Sequence, residues 1–361
     1  MRRRSRDVRV RRGGFRAPPP RGPRTAHGDD GRRDPGGCVR PGRTDRPWPR
    51  RACRAEDGRV SAPASNRIPV LVDPESAAAA LEDHSDYRVA RRIGPMDRRR
   101  GTVGGPGELT IAVVDVETTG LDARRDAIIE LAIQRVRVDE AGHIVETSRP
   151  RSWLEDPGVP IPPKVSVITG LADADVKGRC ISDGEAFGML TDTDVVLAHN
   201  ARFDRGFIDR RLRLPPMPWI CSLEGLDWSS HGFDARTLSS LLLRCGLFFD
   251  AHRAAGDVNA LLHLLDHRLA CGTTVMKELL VAGARPTWRV EVPNAPMSAR
   301  AALKDRRYRW DGDRRCWWRE VSGEEMELER AWVASDIYAG AREARISRIT
   351  WYERYSSEPM D

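Results

Sequence analysis

The sequence predicts an α/β protein in which helices flank a mixed β-sheet, with a disordered N-terminal tail and a small C-terminal α+β domain. Three observations lead to this prediction. Two short apolar runs, 110–116 (TIAVVDV) and 194–198 (DVVLA), are typical of buried strands. Residues 128–138 (IIELAIQRVRV) alternate loosely, as expected of a further strand. Helical patterns then alternate with strands, which is typical of an α/β sandwich.

The elements of the main domain, which we assign to residues 108–272, can be justified in chain order. The expected strands lie at 110–116, 128–138, 143–147 and 194–198, and the first three suggest a hairpin or meander. The expected helices are one capped by Ser182 and Asp183, one that begins near Phe203, one over 237–245 that stops at Gly246, and one over 254–269 with leucines at core spacing.

A second, smaller α+β domain is expected over residues 276–361. Its strands and helices alternate at 288–292, 298–307, 309–321, 324–338 and 346–352. Six of the ten tryptophans lie here, a density that suits either a compact core or base stacking. Residues 300–319 hold eight basic and three acidic residues, interleaved with Tyr308, Trp310, Trp317 and Trp318. This stretch is either a nucleic-acid platform or a hairpin whose arginines are simply exposed.

The N-terminal residues 1–67 are rich in Arg, Pro and Gly, and we expect them to be disordered because they cannot bury enough apolar surface. Three interpretations of this segment are a nucleic-acid-binding arm, a solvated tail, and an upstream extension of a GC-rich reading frame that is never translated. Residues 68–107 are expected to form a short helical preamble, with a helix over 76–81 and a glycine-rich linker over 101–107.

Charge and composition exclude several classes of protein. The chain of 361 residues has a net charge of +7, but residues 1–100 alone carry 26 arginines and 13 acidic residues, a net charge of +13. The remaining 261 residues carry −6, so the overall charge does not indicate what the folded part binds. The apolar stretch 241–249 is interrupted by Arg244 and is far shorter than the roughly 20 residues of a membrane span.

Secretion is also not expected, since no apolar segment follows the basic residues Arg2 to Arg4. The seven cysteines are scattered and form no CxxC pair, which argues against a zinc cage or a disulfide framework. A reducing cytoplasm is the expected location.

The pattern that carries chemistry begins with residues 115–121 (DVETTGL). Positions two apart on a strand face the same side, so Asp115 and Glu117 present two carboxylates from one surface. Burying two like charges is costly unless a cation joins them. The alternative is a pair of solvated acids in a turn.

Two further motifs supply acids and a histidine. Residues 199–204 (HNARFD) follow the strand at 194–198 and set Asp204 in the first turn of a helix. Residues 252–257 (HRAAGD) open the last helix of the domain, where Asp257 shares the apolar stripe of Leu261 and Leu264. A charged residue on such a stripe requires a partner. Taken alone, His252 is more typical of a surface or structural histidine.

Together, the motifs VVDVETTGL, HNARFD and HRAAGD resemble those of the DEDDh 3′–5′ exonucleases, in particular the proofreading epsilon subunits of bacterial DNA polymerase III. The resemblance runs from about residue 110 to 269 and includes the intermediate stretches 129–132 (IELA) and 167–170 (VITG). It implies an RNase H-like fold, and it implies that the metal ligands are Asp115, Glu117, Asp204 and Asp257, with His252 as the general base.

The same resemblance implies contacts with the terminal nucleotide. Thr118 and Thr119 are expected to contact it, Leu121 to wedge beside its base, and His199 and Asn200 to make further substrate contacts. The alternative is that these five residues serve only turn structure and packing.

The expected cofactors are two divalent cations, Mg²⁺ or Mn²⁺, because these ions prefer oxygen ligands and keep positions open for water and phosphate. The resulting prediction is a metal-dependent exonuclease that releases 5′-mononucleotides from single-stranded or mismatched 3′ ends of DNA, in proofreading or repair. The alternatives are an exoribonuclease and a non-catalytic nucleic-acid-binding adaptor. Nucleic acid is the expected partner. A DNA polymerase is a candidate partner, although no clamp-binding peptide is visible after Leu269.

Overall fold

A computed structural model describes residues 73–99, 105 and 107–356. The predicted tail 1–67 and most of the predicted linker 101–107 lie outside this part of the chain. Residues from Ala80 onward form one compact unit. Within the described residues, no helix combines the length and the apolar character that crossing a membrane requires.

The described helices are α1 (Pro74–Glu82), α2 (Pro163–Thr169), α3 (Asp173–Val176), α4 (Asp183–Thr191), α5 (Ala201–Leu212), α6 (Leu238–Arg244), α7 (Ala254–Asp266), α8 (Val275–Ala284), α9 (Arg300–Asp305) and α10 (Gly323–Trp332). The described strands are β1 (Arg91–Arg92), β2 (Leu109–Thr118), β3 (Ile128–Val138), β4 (Ile144–Thr147), β5 (Arg151–Leu154), β6 (Val195–Ala198), β7 (Trp219–Cys221), β8 (Leu247–Phe248), β9 (Thr287–Pro293), β10 (Arg309–Asp311), β11 (Cys316–Val321) and β12 (Arg345–Ile349).

The main sheet has six strands in the path β4-β3-β2-β6-β7, and β5 pairs with β3 beside β4. β2 and β3 are antiparallel, whereas β6 runs parallel to both β2 and β7. The predicted mixed sheet flanked by helices is therefore confirmed. In the β2–β3 pair, Asp115 lies opposite Ala132 and Glu117 opposite Glu130, with a register shift immediately after Glu117.

Both faces of β2 are buried, which explains its continuous apolar run. Ile111 and Val113 point into a core shared with α6, α7 and α8. Ala112, Val114 and Val116 point into a second core shared with α4 and α5. The carboxylates of Asp115 and Glu117 therefore stand at the end of a strand that is covered on both faces.

Helix α8 belongs to the first of these cores, through Val275, Met276, Leu279 and Leu280. It falls within the segment that the sequence analysis assigns to the C-terminal domain, since that domain is expected to begin at residue 276. The domain boundaries themselves stay a prediction.

The C-terminal part builds a second, antiparallel sheet in the order β10-β11-β9-β12. Its core contains Val290, Leu303, Val321 and Val333. The expected helix at 298–307 is a 3₁₀ turn (Met297–Ala299) followed by α9, and the expected helix at 324–338 is α10 continued by a π-turn (Val333–Ile337).

Some local expectations are corrected. Ser182 occupies the N-cap position of α4, but its side chain makes no capping hydrogen bond. The five cysteines of the described region, at positions 180, 221, 245, 271 and 316, are free thiols.

Candidate active site

The acidic cluster consists of Asp115 and Glu117 from the end of β2 and Asp257 from the first turn of α7. One carboxylate oxygen from each of the three lies within 4.8 Å of the others. All three side chains are half-buried. The sheet–helix packing therefore brings together acids that are 140 residues apart in the sequence, at a separation suited to a shared metal ion.

Asp204 stands beside this cluster, in the first turn of α5. Only 1% of the residue is exposed, and its Oδ1 accepts a hydrogen bond of 3.2 Å from the backbone N–H of Val116. It is close enough to Asp115 for its charge to raise the pKa of that carboxyl. The structure thus brings together all four carboxylates predicted as metal ligands, with Asp204 tied to the backbone of β2.

Burial and mutual repulsion raise the pKa of each acid. Burial, followed by the charges of Asp204, Asp257 and Glu117, raises the pKa of Asp115 well above its usual range. Burial raises the pKa of Glu117 to about 7, with Asp257 and Glu130 adding to the shift. Burial also raises the pKa of Asp257 to about 6.

The raised pKa values indicate that too little positive charge lies near these carboxylates to offset their burial and repulsion. Oxygen donors without nitrogen or sulfur suit a hard divalent cation such as Mg²⁺ or Mn²⁺. A bound cation would remove the repulsion that raises each pKa. The donor set therefore fits the metal cofactors that the sequence predicts.

His252 immediately precedes the segment that starts α7, and its side chain is exposed. Its backbone φ of 70° is left-handed, an uncommon conformation for a non-glycine residue. Burial raises the pKa of Asp257, whereas the backbone N–H of Arg253 and the charge of His252 lower it by smaller amounts. His252 therefore lies beside the acidic cluster and accessible to solvent, as a proton acceptor must be.

An ion pair between the exposed Arg253 and the buried Glu130 holds this segment against β3. Glu130 is only 2% exposed, and its two oxygens accept hydrogen bonds from Nε and Nη2 of Arg253 at 3.0 and 3.3 Å. Glu130 also accepts from the backbone N–H of Ala254 at 3.2 Å and from Oγ of Ser152 at 2.9 Å. The three hydrogen bonds from Arg253 and Ala254 fix the entry to α7, which begins two residues after His252.

The sequence analysis assigns no role to Glu130 or Arg253. The available signal is the carboxylate within the otherwise apolar run of β3 (IIELAI), since a charge on a fully buried strand requires a partner. The partner itself is 123 residues away in the chain and could not be read from the pattern.

The turn after β2 carries three of the predicted substrate contacts. The hydroxyl of Thr118 donates to the backbone carbonyl of Gly120 at 2.6 Å, and that of Thr119 accepts from the backbone N–H of Ala127 at 3.0 Å. Both threonines are buried, whereas Leu121 is 88% exposed. The threonine hydroxyls thus stabilise the turn, and Leu121 is free to contact a ligand.

His199 and Asn200 connect β6 to α5. Nδ1 of His199 lies 2.8 Å from Oγ of Ser222, and burial lowers the pKa of this imidazole to about 4. The ring is therefore neutral near pH 7, and its contact with Ser222 favours a packing role. Asn200 is exposed, with a left-handed φ of 81°, so it is the more accessible of the two predicted contacts.

A mixed sheet whose central strand ends in two carboxylates, joined by acids from two flanking helices, is the arrangement that the sequence resemblance predicts. Residues 112–265 match the RNase_T family model, which is described as Exonuclease. The resemblance to DEDDh-type 3′–5′ exonucleases and to proofreading subunits is confirmed by this match and by the relatives below.

Two relatives are PolC-type DNA polymerase III proteins. The chain is 36% identical over 141 residues to that of Thermotoga maritima, which covers 38% of this chain and 9% of the relative. It is 38% identical over 168 residues to that of Listeria welshimeri, which covers 44% of this chain and 11% of the relative. The chain thus spans about a tenth of the length of these relatives.

Solved structures of exonucleases are also similar to the chain. A structure of exonuclease X in complex with 5′-overhanging duplex DNA is 24% identical, with 48% of this chain and 99% of that chain covered and a TM-score of 0.34. A structure of exonuclease I is 18% identical, with 50% of this chain and 48% of that chain covered and a TM-score of 0.38.

Proposed function

We propose that this chain is a metal-dependent 3′–5′ exonuclease that hydrolyses single-stranded or mismatched 3′ ends of DNA and releases 5′-mononucleotides. The single observation that carries the proposal is the convergence of Asp115, Glu117 and Asp257 within a segment that matches an exonuclease family model. The DNA polymerase relatives favour DNA over RNA as the substrate.

In this proposal, Asp115, Glu117, Asp204 and Asp257 hold two divalent ions, Mg²⁺ or Mn²⁺. Ions at such a site lower the pKa of a bound water and neutralise charge that develops on the phosphate. His252 accepts the proton of the attacking water, for which its exposure beside Asp257 is suitable. Leu121 packs beside the terminal base, and the backbone of Thr118 and Thr119 lines the nucleotide.

A role in proofreading, with a DNA polymerase as partner, is part of the same proposal and depends on the PolC-type relatives alone. The expected cytoplasmic location depends on the scattered cysteines and stays a prediction.

A time course on oligonucleotides tests the proposal. Strands labelled at the 5′ end, with single-stranded, mismatched or paired 3′ ends, are incubated with Mg²⁺, with Mn²⁺ or with chelator. We expect a ladder of products that shortens from the 3′ end, faster on unpaired ends, and no products with chelator. Asp115→Asn is the control and should reduce the rate at least about 100-fold.

Three results would contradict the proposal. These are cleavage in chelator, digestion from the 5′ end, and the absence of products from any DNA or RNA strand. Matched RNA strands decide the sugar preference, and binding of both strands without cleavage would identify the non-catalytic adaptor.

A further inference from the structure

A cavity of about 990 Å³ runs along α5, bordered by the turn after β2 and by the residues that follow α5. We refer to it as the α5 cavity. Five arginines line it, Arg124, Arg202, Arg205, Arg210 and Arg213, together with three aspartates, Asp122, Asp209 and Asp313. Residues 101–361 carry net negative charge, so this concentration of arginine is a local departure from the rest of the folded chain.

Two of the five arginines form ion pairs with the three aspartates. Arg205 pairs with Asp209 at 2.9 Å. Arg124 lies 3.3 Å from Asp122 and 3.8 Å from Asp313.

The other three arginines of the α5 cavity form no ion pair with a carboxylate among the described residues. Arg202 lies over the ring of Tyr355 at 5.9 Å, and Arg210 donates to the backbone carbonyl of Ala123. The lining therefore presents a surplus of positive charge.

Arg205 adds an independent sign that an acceptor is missing. Its side chain is 4% exposed, and Nη1 has no hydrogen-bond acceptor among the described residues. A buried guanidinium N–H without an acceptor costs free energy, which an anionic oxygen at the cavity wall would recover after a small movement of the side chain.

Two residues that line the α5 cavity come from the motifs that carry the acidic cluster. Leu121 and Phe203 line it, and they follow Glu117 and precede Asp204 in the two motifs that carry those carboxylates. Arginines interleaved with apolar and aromatic side chains are typical of grooves that bind single-stranded nucleic acid.

We propose that the α5 cavity binds the phosphate backbone of the strand whose 3′ end is cleaved, with Arg202, Arg210 and Arg213 as phosphate contacts. This inference rests on the proposed exonuclease function. Arg202 and Arg210 lie on α5 and Arg213 caps its C-terminal end, 11 positions after Arg202. At the rise of an α-helix this separation is about 16 Å, which is longer than a single phosphate and suits several consecutive nucleotides.

The test uses the full chain carrying Arg202→Gln and Arg213→Asn together. Asparagine is chosen at 213 because the φ of 51° there is left-handed, a conformation that asparagine tolerates. Arg149→Gln is the matched control, since Arg149 is an exposed arginine that does not line the α5 cavity. Affinity for a labelled oligothymidylate of about 12 nucleotides is measured by fluorescence anisotropy in Ca²⁺, over a range of salt concentrations.

The slope of log K against log salt concentration is negative, and we expect its magnitude to decrease by about 1.4 for the double variant. Each lost phosphate contact on a single strand removes about 0.7. The control should keep the wild-type slope. Turnover of a p-nitrophenyl ester of thymidine 5′-monophosphate is measured in parallel, because this single nucleotide is shorter than the span of the three arginines and shows whether the double variant keeps a folded, active site.

An unchanged salt slope in the double variant, with wild-type chain that cleaves the oligonucleotide, overturns the cavity assignment and leaves the exonuclease proposal intact. Weaker competition by thymidine monophosphate, with no loss of oligonucleotide affinity, also overturns it, since the cavity would then bind free nucleotide. If the wild-type chain turns over neither the ester nor the oligonucleotide, the proposed function itself fails.

Discussion

At the scale of single residues, protons and metal ions compete for the same carboxylate oxygens. Glu117 shows this most directly, since burial raises its pKa from 4.5 to about 7. Without metal, the folded protein therefore holds a proton on Glu117 at a pH where the unfolded chain has lost it. The acidic cluster is thus a source of instability that a divalent cation removes.

The metal-free protein should become less stable as the pH rises. Between about pH 4.5 and 7 the folded state holds more protons than the unfolded state, so the free energy of unfolding falls through this window and levels off above it. We expect Tm in chelator to drop by at least about 3 °C from pH 5 to pH 8, roughly 1 kcal/mol after allowance for solvent screening. Mn²⁺ should restore Tm at pH 8, and Glu117→Gln should flatten the pH dependence. A Tm that rises with pH in chelator would contradict the raised pKa of Glu117.

Glu130 is expected to act as a positioning residue for His252. Glu130→Gln weakens the hold on Arg253, so the left-handed backbone at His252 loses its support. We expect kcat to fall about 10-fold, with KM and the Mn²⁺ affinity measured by calorimetry nearly unchanged. His252→Ala should lower kcat about 100-fold or more, again without a loss of metal affinity.

Arg253→Lys, which keeps the charge opposite Glu130, should retain more of the rate than Arg253→Ala. A Glu130→Gln variant with normal kcat and altered Mn²⁺ affinity would instead make Glu130 part of metal binding.

At the scale of elements, the segment before β2 is tied to β8, with which β1 forms a separate two-stranded sheet, and to α7. β1 pairs with β8, the backbone N–H of Met96 donates to Asn259 at 2.8 Å, and Arg98 reaches both oxygens of Asp266 at 3.1 and 2.5 Å. Asn259 and Asp266 lie on α7, the helix that carries Asp257. Residues 91–98 therefore support the helix on which one side of the acidic cluster depends.

Two N-terminal deletions should separate this segment from the tail. Removal of residues 1–72 should leave the rate on short oligonucleotides and Tm nearly unchanged. Removal of residues 1–107 should lower Tm by several degrees, since it removes the hydrogen bonds to α7 and exposes apolar surface. Thermal unfolding and rate are measured side by side, and equal Tm values for the two deletions would show that the segment does not support α7.

Several arginines of the C-terminal sheet and its turns form ion pairs with buried or half-buried acids. Glu291, 3% exposed, lies 2.8 Å from Arg289, 2.9 Å from Arg314 and 3.4 Å from Arg345. The guanidinium of Arg289 also stacks on Trp318 at 4.2 Å. These contacts favour the interpretation of residues 300–319 as a structural hairpin. Trp310 is 54% exposed, as a residue that stacks on a nucleic-acid base would be.

At the scale of the whole molecule, the residues after β12 return to the main sheet. The backbone N–H of Trp219 on β7 donates to the carbonyl of Trp351 at 2.9 Å, and Tyr355, only 4% exposed, packs into the core between the sheet and α5. Arg354 donates to the carbonyls of Gly283 and Arg285 at 3.0 and 2.7 Å. Part of the core of residues 112–265 is therefore formed by a side chain about 90 positions beyond the end of this segment.

Tyr355→Ala should therefore destabilise the protein, by about 3 kcal/mol, the usual cost of removing a buried aromatic ring. Tyr352→Ala is the matched control, because Tyr352 is 37% exposed and its loss should cost far less. Urea unfolding of both variants measures the difference. Equal stabilities would mean that the residues after β12 are dispensable for the core.

The sequence by itself determined the local features of this protein. Apolar runs predicted β2, β3 and β6, and the motifs around Asp115, Asp204 and His252 predicted which side chains carry the chemistry, because strand and helix periodicity and residue type are local properties. The tertiary structure alone decided that Glu130 meets Arg253, that Arg98 meets Asp266, that Tyr355 fills the core beside α5, and that five arginines line one cavity. These contacts join residues far apart in the chain, and they depend on how the elements pack, which no local pattern encodes.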